Sequence, residues 1–229
     1  MPITMPPIEP SNSEARCICL LLLDTSDSMK DKPIRALNEG LTLLETQLKE
    51  NLLTRARVEV GILTFGSGGV NMAKNFTSVA DFIAPVLTTG GGTPMAQAIE
   101  TGLDTLRQRK DQYAKGGIPC YTPWVFLMTD GQPTDMENWP SALRRVKEAT
   151  SEDVSRKRKA DFVFFAIGVG ENADMQLLSA LTPRCLHIDQ VDFRELFLWI
   201  SESLDRIAES RPGDQVTTPP VGFGSPVTS

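Results

Sequence analysis

Five oxygen-bearing side chains stand where a divalent cation could use them. Asp24, Ser26 and Ser28 follow the apolar run Cys17–Leu23 at alternate positions. Thr93 ends the glycine run 90–92 and precedes Pro94, and Asp130 follows a second apolar run, Trp124–Met128. Two carboxylates and three hydroxyls form a hard, all-oxygen set without imidazole or thiolate, which suits Mg2+ or Mn2+. Three neutral hydroxyls leave such a cation under-neutralised, so an anionic ligand from outside the chain is expected to join it. Each piece also has an ordinary use. Asp24 or Asp27 can cap a helix, Thr93 can be an N-cap, and Thr129-Asp130-Gly131 is a common turn. All of them falling just after a strand or just before a helix favours the cation.

The elements that must carry these residues can be read from periodicity. Strand-length apolar runs occur at Cys17–Leu23, Val58–Phe65, Trp124–Met128, Phe162–Ile167 and Cys185–Ile188. Most are continuous, as in parallel strands buried on both faces. Helical stripes lie between them. Ile34, Leu37, Leu41, Leu44, Leu48 and Leu52 form one. Met95, Ile99, Leu103 and Leu106 form another, Leu143, Val146 and Ala149 a third, and Leu196, Ile200, Leu204 and Ile207 a fourth. Pro33 and Pro94 suit first helical turns. The interval 65–79 is too short for a crossover helix, so 70–76 is expected as an antiparallel edge strand. The expected fold is α/β: a doubly wound, mostly parallel six-stranded sheet of order 3-2-1-4-5-6, strand 3 antiparallel at the edge, helices on both faces. Strands one and four are then neighbours, and Asp24 and Asp130 converge at the carboxyl edge, where such sheets bind ligands.

Composition narrows the class. The 229 residues are 41% hydrophobic and 23% charged, which is globular. The longest apolar run, Cys17–Leu23, is far short of the roughly 20 residues a membrane helix needs, and residues 1–13 do not read as a secretory signal. A cytoplasmic protein with no membrane partner is expected. A net charge of −6 argues against nucleic acid as a partner. The one basic run, Arg156 to Lys159, reads as a solvated helix end. Four cysteines without a CxxC pair and a single histidine, His187, within an apolar strand argue against zinc, and buried reduced thiols are expected. Residues 14–209 read as one domain between a flexible N-terminal tail, 1–13, and a flexible C-terminal tail, 210–229, in which 13 of 20 residues are Pro, Gly, Ser or Thr. Within the second tail, Val221, Phe223 and Val227 leave two readings open, an inert tail or a short extended peptide that docks on a partner. Trp139 likewise reads either as a rim anchor for a partner or as the start of the Leu143 stripe.

The pattern Asp24-x-Ser26-x-Ser28 with Thr93 and Asp130 resembles the metal-ion-dependent adhesion site of von Willebrand factor type A domains, over about residues 15–208. The stretches LLLDTSDSM, TTGGGTPM and PWVFLMTDGQPTD, with the loop Gly116 to Pro119, look most like the bacterial cytoplasmic TerY/YegL-type proteins of tellurium-resistance and stress clusters. The resemblance implies direct ligation by the serines and threonine, ligation by the aspartates directly or through water, and a partner's Glu or Asp completing the shell. It also implies scaffolding or regulation of a protein kinase and a metal-dependent protein phosphatase. A role that depends on the cysteine-rich C-terminal extension of some TerY proteins is not expected. Asp27 and Asp135 are expected to add charge near the metal or to hold its ligands. The loops 27–32, 66–69, 90–93 and 132–139 are expected to surround it.

The main enzymatic alternative is a Mg-dependent phosphohydrolase of the haloacid dehalogenase type. It needs a second Asp two residues after the first, where this chain has Ser26, and a basic residue near the phosphate. Gly90–Thr93 lacks the GK[ST] of a P-loop. No GxGxxG follows the first strand, and His187 is poorly placed as a catalytic base.

Overall fold

The computed structural model describes residues 3–9, 12–66, 68–151, 160–189, 193–214, 216–223 and 225–226. The run Arg156 to Lys159 lies outside these. The strands are β1 (Cys17–Thr25), β2 (Val58–Gly66), β3 (Gly69–Ser78), β4 (Trp124–Thr129), β5 (Val163–Val169), β6 (Cys185–Ile188) and β7 (Ser225–Pro226). The helices are α1 (Lys32–Glu50), α2 (Leu52–Arg57), α3 (Met95–Lys115), α4 (Trp139–Thr150), α5 (Met175–Leu181) and α6 (Phe193–Glu209).

The six expected strands run in the order 3-2-1-4-5-6, with β3 antiparallel to β2 and the others parallel. The two-residue β7 adds an antiparallel seventh at the β6 edge. Gly68 and Gly69, at φ 76° and 86°, take the left-handed backbone that the β2–β3 reversal uses.

Alternation along β1 builds the layers. Cys17, Cys19, Leu21 and Leu23 face α1 and α6, whereas Ile18, Leu20 and Leu22 face α3, α4 and α5. All seven are fully buried, so the strand reads as an unbroken apolar run. Trp124, Phe126, Phe165 and Trp199 cluster between the sheet and α6, with Phe126 and Phe165 stacked at 4.9 Å. Helix α1 packs on α6 through a notch: a Cβ at Gly40 would stand 2.3 Å from Phe197 Cδ2. The four cysteines are free. Burial pushes the Cys17 thiol up to about 12, which keeps it protonated and unreactive.

Two local expectations change, and the end segments make contacts of their own. The first stripe does not continue to Leu52. Asn51 breaks it, and its side chain accepts hydrogen bonds from the Leu53 and Thr54 amides to start α2, which leaves Leu52 75% exposed. Helix α5 has no stripe long enough to announce it. Some side chains of the two end segments pack on the domain. Met5 and Ile8 pack on the α3 side, and the Pro6 carbonyl accepts from Arg109 at 2.7 Å. Val216 and Phe223 pack on the α6 side.

Candidate metal centre

Parallel pairing of β1 with β4 sets Leu23 opposite Met128, so the residues after each strand emerge side by side. Asp24, the penultimate residue of β1, is fully buried, and Ser26, Thr93 and Asp130 are buried too. Ser28, on the 3-10 turn Asp27–Met29, is exposed.

Hydrogen bonds join four of the five predicted residues. Asp24 Oδ1 accepts from the Ser26 amide at 2.8 Å. The Ser26 and Ser28 hydroxyls lie 2.9 Å apart, and Ser28 Oγ donates to Asp130 Oδ1 at 2.6 Å. Thr93 closes the set from the α3 side. A Cβ at Gly131 would lie 3.6 Å from Ser28 Oγ and 3.8 Å from Thr93 Oγ1. Glycine thus keeps open a space that a methyl group would enter between the two hydroxyls.

The loops are tied to one another through their backbones. The Gly90 amide donates to Thr25 O, the Asp27 amide to Gly91 O and the Thr134 amide to Thr93 O, at 2.8, 3.0 and 2.9 Å. Gly91 takes φ 74°, a conformation that glycine adopts without strain. Thr134 Oγ1 accepts from the Thr93 amide at 3.1 Å.

The electrostatics are those of acids short of a counter-charge. Burial pushes the Asp24 carboxyl up to about 6, against hydrogen bonds from Ser26 and Thr129, and the nearby Asp130 carboxylate adds to the rise. Burial raises Asp130 as well, opposed by the Ser28 hydroxyl. Among the described residues neither aspartate pairs with a lysine or arginine. No group of three His, Cys, Asp or Glu side chains gathers here either. Two carboxylates among hydroxyls, around a space kept open by glycine, fit a small hard cation.

Two residues have roles that differ from, or were absent in, the reading of the sequence. Asp135 is not aimed at the metal site. Its Oδ1 and Oδ2 accept from the Ala96 and Gln97 amides at 3.1 and 2.8 Å, so it caps α3 from the β4 loop. That is the role Thr93 could have filled alone, and a cap reaching across 39 residues leaves no local signal. Thr129 was missed: its hydroxyl donates to Asp24 Oδ2 at 2.5 Å, and sitting at the end of β4 it could have been suspected. Trp139 is 5% exposed within the α4 core, so the stripe reading holds, and Met136, 48% exposed, is the apolar side chain of that loop. Asp27 sits exposed at the rim. His187 Nε2 bonds the Gly170 carbonyl at 2.8 Å, a structural contact.

A model of the von Willebrand factor type A domain matches residues 20–197. The chain belongs to this family. A von Willebrand factor A domain-containing protein of Dictyostelium discoideum is 25% identical over 176 residues, and the chain spans 16% of that protein's length while the match covers 72% of this chain. Among solved structures, a von Willebrand factor type A protein of Catenulispora acidiphila superposes with a TM-score of 0.57 at 14% identity, covering 84% of this chain and 43% of that one. The pilus adhesin SpaC of Lactobacillus rhamnosus GG does so with a TM-score of 0.61 at 16% identity, over 86% and 32% of the two chains. At such identities the likeness shows the fold. VWA domains typically mediate protein–protein interaction, are generally non-enzymatic and often bind a divalent metal. No helix among the described residues is long and apolar enough to cross a membrane.

Proposed function

We propose that this VWA domain is a non-enzymatic binding module in which Asp24, Ser26, Ser28, Thr93 and Asp130 hold one Mg2+ or Mn2+ that captures a Glu or Asp of a partner protein. The observation that supports it is the hydrogen-bonded chain Asp24–Ser26–Ser28–Asp130, lying beside Thr93, with its two carboxyls raised by burial and, among the described residues, paired with no lysine or arginine. The bound ion supplies a Lewis-acidic position for a carboxylate. Asp24 and Asp130 supply the negative charge that holds it. The Ser26, Ser28 and Thr93 hydroxyls supply neutral oxygens, which keep the total charge low enough for another anion to approach. Thr129 and the Ser26 amide orient Asp24, and Asp135 fixes the loop after Asp130 by its cap on α3. One bond to a carboxylate does not define a partner, so loops 27–32, 90–93 and 132–139 provide the remaining contacts.

The stretches LLLDTSDSM, TTGGGTPM and PWVFLMTDGQPTD support a narrower proposal. The partners are a protein kinase and a metal-dependent protein phosphatase of a bacterial tellurium-resistance or stress system, in the cytoplasm. Calorimetric titration with Mg2+ and Mn2+, followed by capture of partners with and without chelator, tests both levels. Chelator and Asp130→Ala should each release the partner, and a Glu or Asp of the partner should be indispensable. A complex that survives both treatments rules out the metal bridge. Capture of proteins other than a kinase or phosphatase rules out the narrower assignment.

A further inference from the structure

The C-terminal segment lies on the domain in the manner of a bound peptide. Residues 216–223 have no helix or strand of their own. The Trp199 indole N–H donates to the Pro219 carbonyl at 2.9 Å, and both Trp199 and Pro219 are buried. The Phe223 ring meets the indole edge-on with centroids 6.3 Å apart. Val216 packs beside it on the α6 side, and Arg206 donates to the Thr217 carbonyl at 3.2 Å. The backbone then pairs antiparallel with β6, Ser225 opposite His187 and Pro226 opposite Leu186. An aromatic N–H aimed at the carbonyl of a proline, an aromatic ring contact and a strand edge that adds one more strand are the means by which domains read extended proline-rich peptides.

The attachment has a definite starting point. The chain is anchored as far as Ser210, whose carbonyl accepts from Tyr121 Oη at 2.8 Å. A turn follows in which Gly213 takes φ 99°. Beyond it the segment Val216 to Pro226 carries no charged residue, so two copies of it meet no charge repulsion. Its pairing with β6 spans two residues, against four between β5 and β6.

We propose that the face formed by α6 and the β6 edge is a peptide-binding site separate from the metal centre, covered by the chain's own residues 216–223 and 225–226, and that it takes the same segment from a second copy of this chain. The tether holds the segment at an effective concentration of about millimolar, so exchange between intact copies requires a comparable chain concentration.

The test uses the full chain with a protease site inserted after Gly213. Once cut, the chain should stay folded and exchange its segment for a fluorescent peptide of residues 211–229. A peptide carrying Phe223→Ala should bind about tenfold more weakly. Trp199→Phe, which keeps a ring and removes the N–H donor, should weaken binding about fivefold with an unchanged circular dichroism spectrum. The uncut chain at about millimolar concentration should form a dimer, and a chain lacking residues 211–229 should stay monomeric. Unfolding of the cut chain would show the segment to be an integral part of the fold and overturn the proposal. No peptide incorporation in a folded cut chain would overturn it as well, as would an uncut chain that stays monomeric at that concentration.

Discussion

Two buried polar clusters sit at opposite edges of the same sheet, and they handle charge in opposite ways. At the amino edge of β2, Glu59 takes two hydrogen bonds from Arg109, from Nε at 2.9 Å and from Nη2 at 2.5 Å. The Tyr113 hydroxyl accepts from the same guanidinium at 2.8 Å, and Pro6 and Gln112 accept its remaining protons. Every charge there meets its opposite inside the chain. At the carboxyl edge of β1 and β4, Asp24 and Asp130 meet hydroxyls and an amide, and burial raises both. A paired cluster holds the fold together, whereas a cluster left short of positive charge is where the proposed cation would be held.

The sharpest break of this contrast is Arg109→Met. It leaves the Glu59 carboxylate buried and unpaired and should cost about 3–5 kcal/mol in urea unfolding. Adding Glu59→Leu should recover most of that loss, as expected of a pair whose function is structural.

At the other edge, removing a charge should help. Asp24 titrates near 3.8 when unfolded and near 6 in the folded chain, so between these values the native state binds more protons. Its penalty is absent below pH of about 4, grows as pH rises, and is fully present above about 6 at roughly 3 kcal/mol. In metal-free solution Asp24→Asn should therefore be more stable than the parent at pH 7 by up to about 3 kcal/mol, and the gain should vanish at acid pH. Equal stability of the two at neutral pH would mean that Asp24 is already neutralised by the fold.

Mg2+ should do for the parent what the substitution does. At a free concentration one hundredfold above Kd it should add about 2.7 kcal/mol, read as a rise in Tm, and it should add nothing to Asp130→Ala. Asp135→Ala removes the acceptor of two α3 amides and should cost about 1–2 kcal/mol. It should also weaken Mg2+ binding, because the Thr93 and Asp130 loops are no longer fixed to each other. Thr93→Ala should have the smallest effect on stability, within about 0.5 kcal/mol, because α3 is capped by Asp135 instead. It should still lose Mg2+ binding in the calorimeter.

Strand order and strand ends were legible because buried parallel strands leave long apolar runs, and β1, β2 and β4 lie within one or two residues of those runs. The convergence of Asp24 with Asp130 followed from the order alone, since β1 and β4 are sequence-distant neighbours in every sheet of this winding. What was hidden depends on contacts made across the fold. Asp135 caps a helix that begins 40 residues earlier, and nothing in GQPTD marks its target. Arg109 sits in the middle of an exposed-looking stretch, RQRKDQ, and only the tertiary fold turns it towards Glu59. The contacts of the C-terminal segment were hidden by its composition. A Pro-, Gly- and Thr-rich stretch cannot form a core of its own, yet it can lie on one that Trp199 and Phe165 have already built.

Gly40 acts as a mechanical detent between α1 and α6. The Phe197 ring fills the place where a side chain would be, and Phe193 Cβ stands 3.5 Å from the same point. For α6 to slide by one turn along its axis, about 5.4 Å, that ring must climb out past the buried side chains of Leu37, Leu41 and Leu44. The C-terminal segment meets α6 at Trp199, two residues from Phe197 and so on roughly the opposite side of the helix from the ring seated in α1. Contacts on two sides therefore hold α6 in register, one with the C-terminal segment and one with α1.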